Sequence, residues 1–172
     1  MQQSHARAGG ILEALDPMGL VEDALQINRA ALDRHGVQLV RDYHPVPQVL
    51  VDRHKVLQIL VNLISNAKHA LAEKDSDKKV VLTIHANGAD RVRLIVSDNG
   101  IGIAPENRDR IFSQGFTTRR DGHGFGLHGG ANAAREIGGS LTVHSEGTGR
   151  GATFTLELPA VNGASGNGGG AG

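Results

Sequence analysis

Gln58, Asn62, Asn66 and His69 are spaced four, four and three residues apart, so on a helix they share one face. Asn is a poor helix former, costing up to about 0.7 kcal/mol relative to Ala. An ordinary solvent face prefers Lys, Glu or Gln. Two Asn one turn apart on an otherwise apolar segment are neutral, oxygen-bearing side chains aimed at something, with a plain solvated face as the alternative. An amide oxygen suits a hard cation such as Mg²⁺, which takes oxygen ligands while keeping several waters and substrate phosphates. A second group is Asp98-Asn99-Gly100-Ile101-Gly102-Ile103. Alone, Asp-Asn-Gly is a turn signal. Here two glycines behind the Asp let the backbone pass close to a flat ligand. An ionised carboxylate only accepts hydrogen bonds, which suits the exocyclic amino group of adenine. A third group is Gly122-His123-Gly124-Phe125-Gly126-Leu127, running into a helix. Alternate glycines at a helix N-terminus expose backbone N–H groups to an anion; a flexible surface loop is the alternative. Neither GxxxxGK[ST] nor a GxGxxG running from strand straight into helix is present.

The elements that position these groups follow from periodicity and punctuation. Residues 1–15 read either as the end of a helix that began upstream or as a loose terminus. Asp16-Pro17 reads as an N-cap followed by Pro at the first helical position. Leu20, Val21, Ala24, Leu25, Ala31 and Leu32 continue at helical spacing toward a stop at Gly36. Val37 to Tyr43 and Val49 to Val51 read as strands, separated by a proline-broken connection. Asp52 to Leu71 is the best helix, with a wide apolar face opposite its polar stripe. Two hairpins are expected: Val80 to Ala86 with Arg91 to Ser97 around Asn87-Gly88, and Leu141 to Ser145 with Ala152 to Leu158. A turn of helix is expected near Glu106 to Phe112, and a helix over Phe125 to Ile137 ending at Gly138-Gly139. The long connection between Ile103 and Gly124 suggests a lid. This order implies an α+β fold: a two-layer sandwich whose mixed, mostly antiparallel sheet is covered on one face by about three helices.

Composition narrows the function classes. The chain has 172 residues, one domain's worth. Eighteen basic residues balance eighteen acidic ones, which gives no electrostatic case for nucleic acid or an anionic membrane. Aromatics are 3% with no Trp, too few for a base-stacking platform. Cys is absent, which excludes disulfides and thiolate metal sites. No apolar run approaches the roughly 20 residues of a membrane helix. His44, His54, His85 and His144 show no metal-ligand spacing. Of 24 glycines, six fall in the last ten residues, so 161–172 reads as a disordered tail.

Together these segments resemble the ATP-binding superfamily shared by sensor histidine kinases, type II topoisomerases, the Hsp90 chaperones and the MutL mismatch-repair proteins. Gln58 to Ala70 looks like the N box, Asp98 to Ile103 the G1 box, Ile111 to Thr118 the F box and Gly122 to Leu127 the G2 box. Gly149-Arg150-Gly151-Ala152-Thr153-Phe154 resembles the last Gly/Thr motif. Four boxes in order, on the expected elements, span nearly the whole ordered chain. The resemblance implies Asn66 as the Mg²⁺ ligand, Asn62 facing the phosphates and His69 touching phosphate. It implies Asp98 reading adenine, with Gly100, Gly102 and Ile103 beside it. Gly122, His123, Gly124, Phe125 and Gly126 fall at the phosphate end of the lid, and Leu127 starts the following helix. Phe112 packs the lid, Thr153 lies near the adenine, and Arg119 stands where relatives often carry a Lys that can reach the γ-phosphate.

The ATP-hydrolysing branches carry a water-activating Glu where this chain has Asn62, and an amide is no general base at neutral pH. Asn there is similar to the histidine-kinase pattern. None of the nine His is followed by an acidic residue, as a phosphoacceptor would be. The resemblance therefore implies the catalytic, Mg·ATP-binding domain (residues 16–160) of a cytoplasmic or membrane-anchored two-component sensor histidine kinase. Residues 1–15 would end an upstream dimerisation helix or linker. The expected partners are a separate dimerisation and phosphoacceptor domain and, indirectly, a response regulator. The chain itself is expected to be monomeric and to touch neither nucleic acid nor membrane. An ATP-hydrolysing switch and a nucleotide-degenerate docking module are the alternatives.

Overall fold

The computed structural model describes residues 11–107, 110–111 and 125–161, without the side chains of 125 and 126. The first element differs from the sequence expectation. Residues Leu12–Leu15 form a strand, β1, rather than the end of a helix. β1 pairs antiparallel with β3, Val49–Asp52, in register Leu12↔Asp52 to Leu15↔Val49. Its hydrogen-bonding groups are satisfied by another strand, an outcome that the local sequence, exposed at Ile11 and Leu12, does not advertise.

Between them, α1 runs Pro17–Arg34, capped by Asp16, whose carboxylate accepts from the Met18 N–H at 3.1 Å. β2 follows over Gln38–Tyr43. Arg41 and the Tyr43 hydroxyl both donate to Glu22, at 2.7 Å each, and fasten α1 to β2. The Arg41 hydrogen bond holds the Glu22 carboxyl below its ordinary range.

α2 spans Arg53–Ala70, capped by Asp52, whose carboxylate accepts from the Lys55 N–H at 3.3 Å. Its apolar stripe, including Val56, Leu60, Leu63, Ile64 and Ala67, is fully buried. β4 (Lys79–Ala86) and β5 (Arg91–Asp98) form the first expected hairpin, β6 (Ser140–His144) and β7 (Ala152–Pro159) the second. α3 covers Phe125–Glu136, and Gly138, at φ +83°, turns the chain after it into β6. Among the described residues a 3₁₀ turn, Pro105–Asn107, stands at the start of the short helix expected at Glu106 to Phe112.

The main sheet has the order β2-β4-β5-β7-β6. β2 and β4 are parallel and every other pair is antiparallel, so the sheet is mixed and mostly antiparallel. Its strands alternate. Val80, Leu82 and Ile84, then Val92, Leu94 and Val96, then Phe154, Leu156 and Leu158 point into one core. The three helices of the described residues cover that face, with α2 packed between α1 and α3. Burying each such side chain contributes about 1.5–3 kcal/mol, so the α2–β5–β7 centre is the rigid part of the molecule. Both candidate site segments, the α2 polar stripe and the end of β5, are anchored in it. Among the described residues no helix is long and apolar enough to cross a membrane.

Candidate functional site

Asp98 is the last residue of β5 and continues its inward alternation, so its side chain falls on the core side of the sheet and is only 8% exposed. Burial pushes its carboxyl up to about 6. Two backbone N–H groups work against that shift: Gly100 donates to Asp98 Oδ1 at 2.8 Å, and Ala152 donates from the facing strand. The result is a buried carboxylate held by backbone N–H groups. It is an acceptor waiting for a neutral donor rather than half of an ion pair.

The residues after Asp98 are locked to two other segments. The Ile101 N–H donates to the Ala70 carbonyl at 2.9 Å, attaching this loop to the C-terminal end of α2. Gly100 has no room for a side chain, because a Cβ there would meet the Ala70 carbonyl oxygen. Gly102 sits at φ +71°, and its Cβ would strike the Gly147 carbonyl oxygen. The loop joining β6 to β7 lies against the same stretch. Gly149 donates to the Ile101 carbonyl at 2.6 Å and Gly151 to that of Gly100 at 3.1 Å. Asn99 closes the other side: its Oδ1 accepts from the Lys79 N–H at 3.0 Å, and its amide donates to the Asp77 carbonyl at 2.8 Å. Ile101 itself is 46% exposed and offers apolar surface beside the carboxylate.

The polar stripe of α2 stands as the spacing implied. Gln58 is exposed, and Asn62, Asn66 and His69 are half-buried. Asn62 and Gln58 line a small cleft whose far wall is Gly129, Gly130 and Ala133 of α3. His69 Nδ1 lies 2.8 Å from the Ser65 carbonyl. A carbonyl only accepts, so this nitrogen carries the proton and Nε2 is the nitrogen left to a ligand. The C-terminal end of the helix that carries the stripe, Ala70, touches Gly100 and Ile101 of the loop after Asp98.

Not every expected site residue falls there. The side chain of Thr153 lies on the other sheet face from that of Asp98. It pairs with Ser97 in the β5–β7 ladder, and the two hydroxyls lie 2.8 Å apart on the sheet face opposite Asp98. Strand alternation is the reason: Asp98 and Thr153 belong to positions of opposite parity, and the register partner of Asp98 is Ala152. Leu127 is the third residue of α3, which begins at Phe125, and its side chain packs on the core. Ile103 packs there too. Gly126 is part of the helix backbone. Phe112, Arg119, Gly122, His123 and Gly124 lie outside the described residues.

Sequence reasoning missed Ala152 and Ser145. Ala152 could have been found by counting register across the hairpin. Ser145 carried no visible signal, since it reads as the last residue of an ordinary strand. It is 3% exposed, and its Oγ meets Ile103, Gly147 and Gly151 of the two glycine loops.

The donor set of α2 fits a hard cation of the Mg²⁺ type. Asn66 brings a neutral amide oxygen, and no cluster of three His, Cys, Asp or Glu able to hold a metal occurs among the described residues. Such a site leaves most of the coordination shell to water and to phosphates arriving with a nucleotide.

Comparison with known proteins agrees with this geometry. Residues 51–162 match the family described as histidine kinase-, DNA gyrase B-, and HSP90-like ATPase. The sensor histidine kinase ZraS of Escherichia coli K12 is 34% identical over 149 residues, which cover 86% of this chain and 31% of ZraS. Full-length ShkA, crystallised in complex with AMPPNP, superposes with a TM-score of 0.76 at 32% identity, covering 87% of this chain and 31% of ShkA. The catalytic domain of the histidine kinase ThkA shares the fold at a TM-score of 0.77, 24% identity and coverage of 87% and 95%. The chain thus spans about a third of the length of ZraS and ShkA. The match spans both the helix that carries the amide stripe and the strand that ends at the buried carboxylate, and the chain belongs to the histidine kinase-, DNA gyrase B-, and HSP90-like ATPase family.

Proposed function

We propose that this chain binds Mg·ATP as the catalytic domain of a two-component sensor histidine kinase and directs the γ-phosphoryl group to a histidine on a separate dimerisation domain. The observation that carries the reading is Asp98: a buried carboxylate whose partners are the backbone N–H groups of Gly100 and Ala152. That is the acceptor an adenine amino group needs. The exposed apolar surface of Ile101 beside it suits the flat base.

Within this reading the chain's residues orient rather than react. Asp98 fixes the base. Gly100 and Gly102 keep the backbone low enough for it to approach. Asn62 and His69 face the phosphates, with Asn66 supplying the cation's amide oxygen. Mg²⁺, when bound, would neutralise phosphate charge as the transfer proceeds. Phosphoryl transfer asks mainly for positioning and charge neutralisation. In the transfer the bond from the γ-phosphorus to the ADP oxygen breaks and a bond to the acceptor imidazole nitrogen forms. Asn62 is no base, so the proton of that imidazole is taken by a group on the acceptor's own domain. A response regulator would receive the phosphoryl group afterwards.

The test is calorimetric titration of ADP and of ATP, with and without Mg²⁺, into wild type, Asp98→Ala and Asn66→Ala. Wild type is expected to bind both nucleotides, Asp98→Ala neither, and Asn66→Ala without Mg²⁺ dependence. Labelled-phosphate transfer in trans to the dimerisation domain of the parent kinase then tests the reaction. A folded wild type that binds no nucleotide overturns the reading.

A further inference from the structure

Ser145 is a buried side chain whose hydroxyl joins two backbone loops beside the candidate site. Its Oγ lies 3.0 Å from the Ile103 nitrogen, 3.2 Å from the Gly147 nitrogen and 2.7 Å from the Gly151 oxygen. A hydroxyl has one proton and two lone pairs. The proton goes to the Gly151 carbonyl, the shortest of these contacts, and the lone pairs accept from Ile103 and Gly147. The Gly147 carbonyl, at 3.3 Å, is a secondary acceptor. The hydroxyl is therefore saturated.

The partners are not arbitrary. Ile103 ends the stretch that begins at Asp98, and Gly147 and Gly151 bracket the loop between β6 and β7. Gly151 in turn donates to the Gly100 carbonyl, and a Cβ on Gly151 would run into the Asp98 carbonyl oxygen. Gly102 sits equally close to the Gly147 carbonyl. Two backbone bonds and one hydroxyl thus hold two glycine loops face to face. The glycines make the close approach possible, and the Ser145 hydroxyl is the side-chain group that binds Ile103 of one loop and Gly151 of the other. Such contacts require both loops to keep their spacing to within a few tenths of an ångström.

We infer that Ser145 is a positioning residue for nucleotide binding: its hydroxyl clasps the loop after β5 to the loop before β7 and so sets where the Asp98 carboxylate is presented. The inference rests on the reading of Asp98 as the base-recognising group. It concerns a residue that touches no ligand, and it differs from a simple contribution to stability. The hydroxyl acts at the edge of the fold, between loops, while the sheet and helices that dominate the core are packed independently of it.

The experiment uses wild type, Ser145→Ala and Ser145→Thr, with three readouts: thermal unfolding, ADP titration and amide hydrogen exchange resolved at Ile103 and Gly147 without nucleotide. Ser145→Ala is expected to unfold cooperatively yet bind ADP about tenfold more weakly, the size expected when buried donors lose their acceptor. Its Ile103 and Gly147 amides are expected to exchange at least tenfold faster while amides of β5 and α2 stay protected. Ser145→Thr retains the oxygen and is expected to restore protection at Ile103 and most of the affinity. Wild-type affinity and undiminished Ile103 protection in Ser145→Ala overturn the inference. Rapid exchange of Ile103 in wild type overturns it as well, even if Ser145→Ala fails to fold. If wild type binds no ADP, the functional reading fails by itself, and the exchange data still decide whether the clasp exists.

Discussion

Gly100 presses against Ala70, the last residue of α2, so closely that a single added carbon would overlap its carbonyl oxygen. The contact joins the loop after Asp98 to the helix that carries Asn62, Asn66 and His69. It is backbone against backbone, so no rotamer change can relieve a clash there. Gly100→Ala should therefore destabilise the fold by about 2 kcal/mol or more and weaken ADP binding together with it. Urea unfolding and calorimetry check both, and an alanine variant of wild-type stability would contradict the contact.

The raised Asp98 carboxyl gives a pH dependence with a definite sign. Its folded value, about 6, lies above the ordinary 3.8. Between those values the folded state holds more protons than the unfolded one, so stability falls as pH rises from about 4 to 6. The ionised, buried group costs up to about 3 kcal/mol at neutral pH. Nucleotide binding runs the other way, because only the ionised form offers both oxygens as acceptors. ADP affinity should fall as pH drops below about 6, and Asp98→Ala should remove the pH-dependent stability loss along with binding. Denaturation and titration at pH 5, 6, 7 and 8 test both signs.

Thr153 offers a negative test of the sheet register. It faces Ser97 on the side away from Asp98. Thr153→Ala should leave ADP affinity within about twofold of wild type, and its cost should be the roughly 1 kcal/mol of one hydroxyl–hydroxyl bond. A large loss of affinity would mean that Thr153 reaches the nucleotide after all.

The amide stripe separates metal from base recognition. Asn66→Ala should keep Mg²⁺-free ADP binding and lose the enhancement that Mg²⁺ gives, read by titration with and without chelator. Asn62→Ala should lower phosphotransfer to the dimerisation domain more than it lowers ADP binding if, as proposed, it faces the phosphates. Equal losses in both assays would assign Asn62 to ground-state binding alone.

Much of this was legible in the chain because local rules and the fold agree. Asp16 caps α1 with Pro17 at its first position as expected, and α2 falls within the expected Asp52 to Leu71. The two hairpins fall where the alternating strands and their glycine turns placed them. What stayed hidden was set by long-range pairing. Leu12–Leu15 looks helical or loose by itself and becomes a strand only because β3 is there to pair with it. The face that Thr153 presents was hidden because side-chain direction depends on register, and one residue of register reverses the face. Ser145 was invisible because its importance lies in partners 42 residues upstream and two and six residues downstream, which only the folded chain assembles.

The position of α2 has a mechanical consequence. Its N-cap, Asp52, is the register partner of Leu12, where the chain enters the domain through β1. Its other end, Ala70, is the seat of the loop that follows Asp98. Eighteen residues of helix separate the two, about 27 Å of stiff rod. A pull or twist applied to β1 would reach the loop after Asp98 as displacement of that rod's far end.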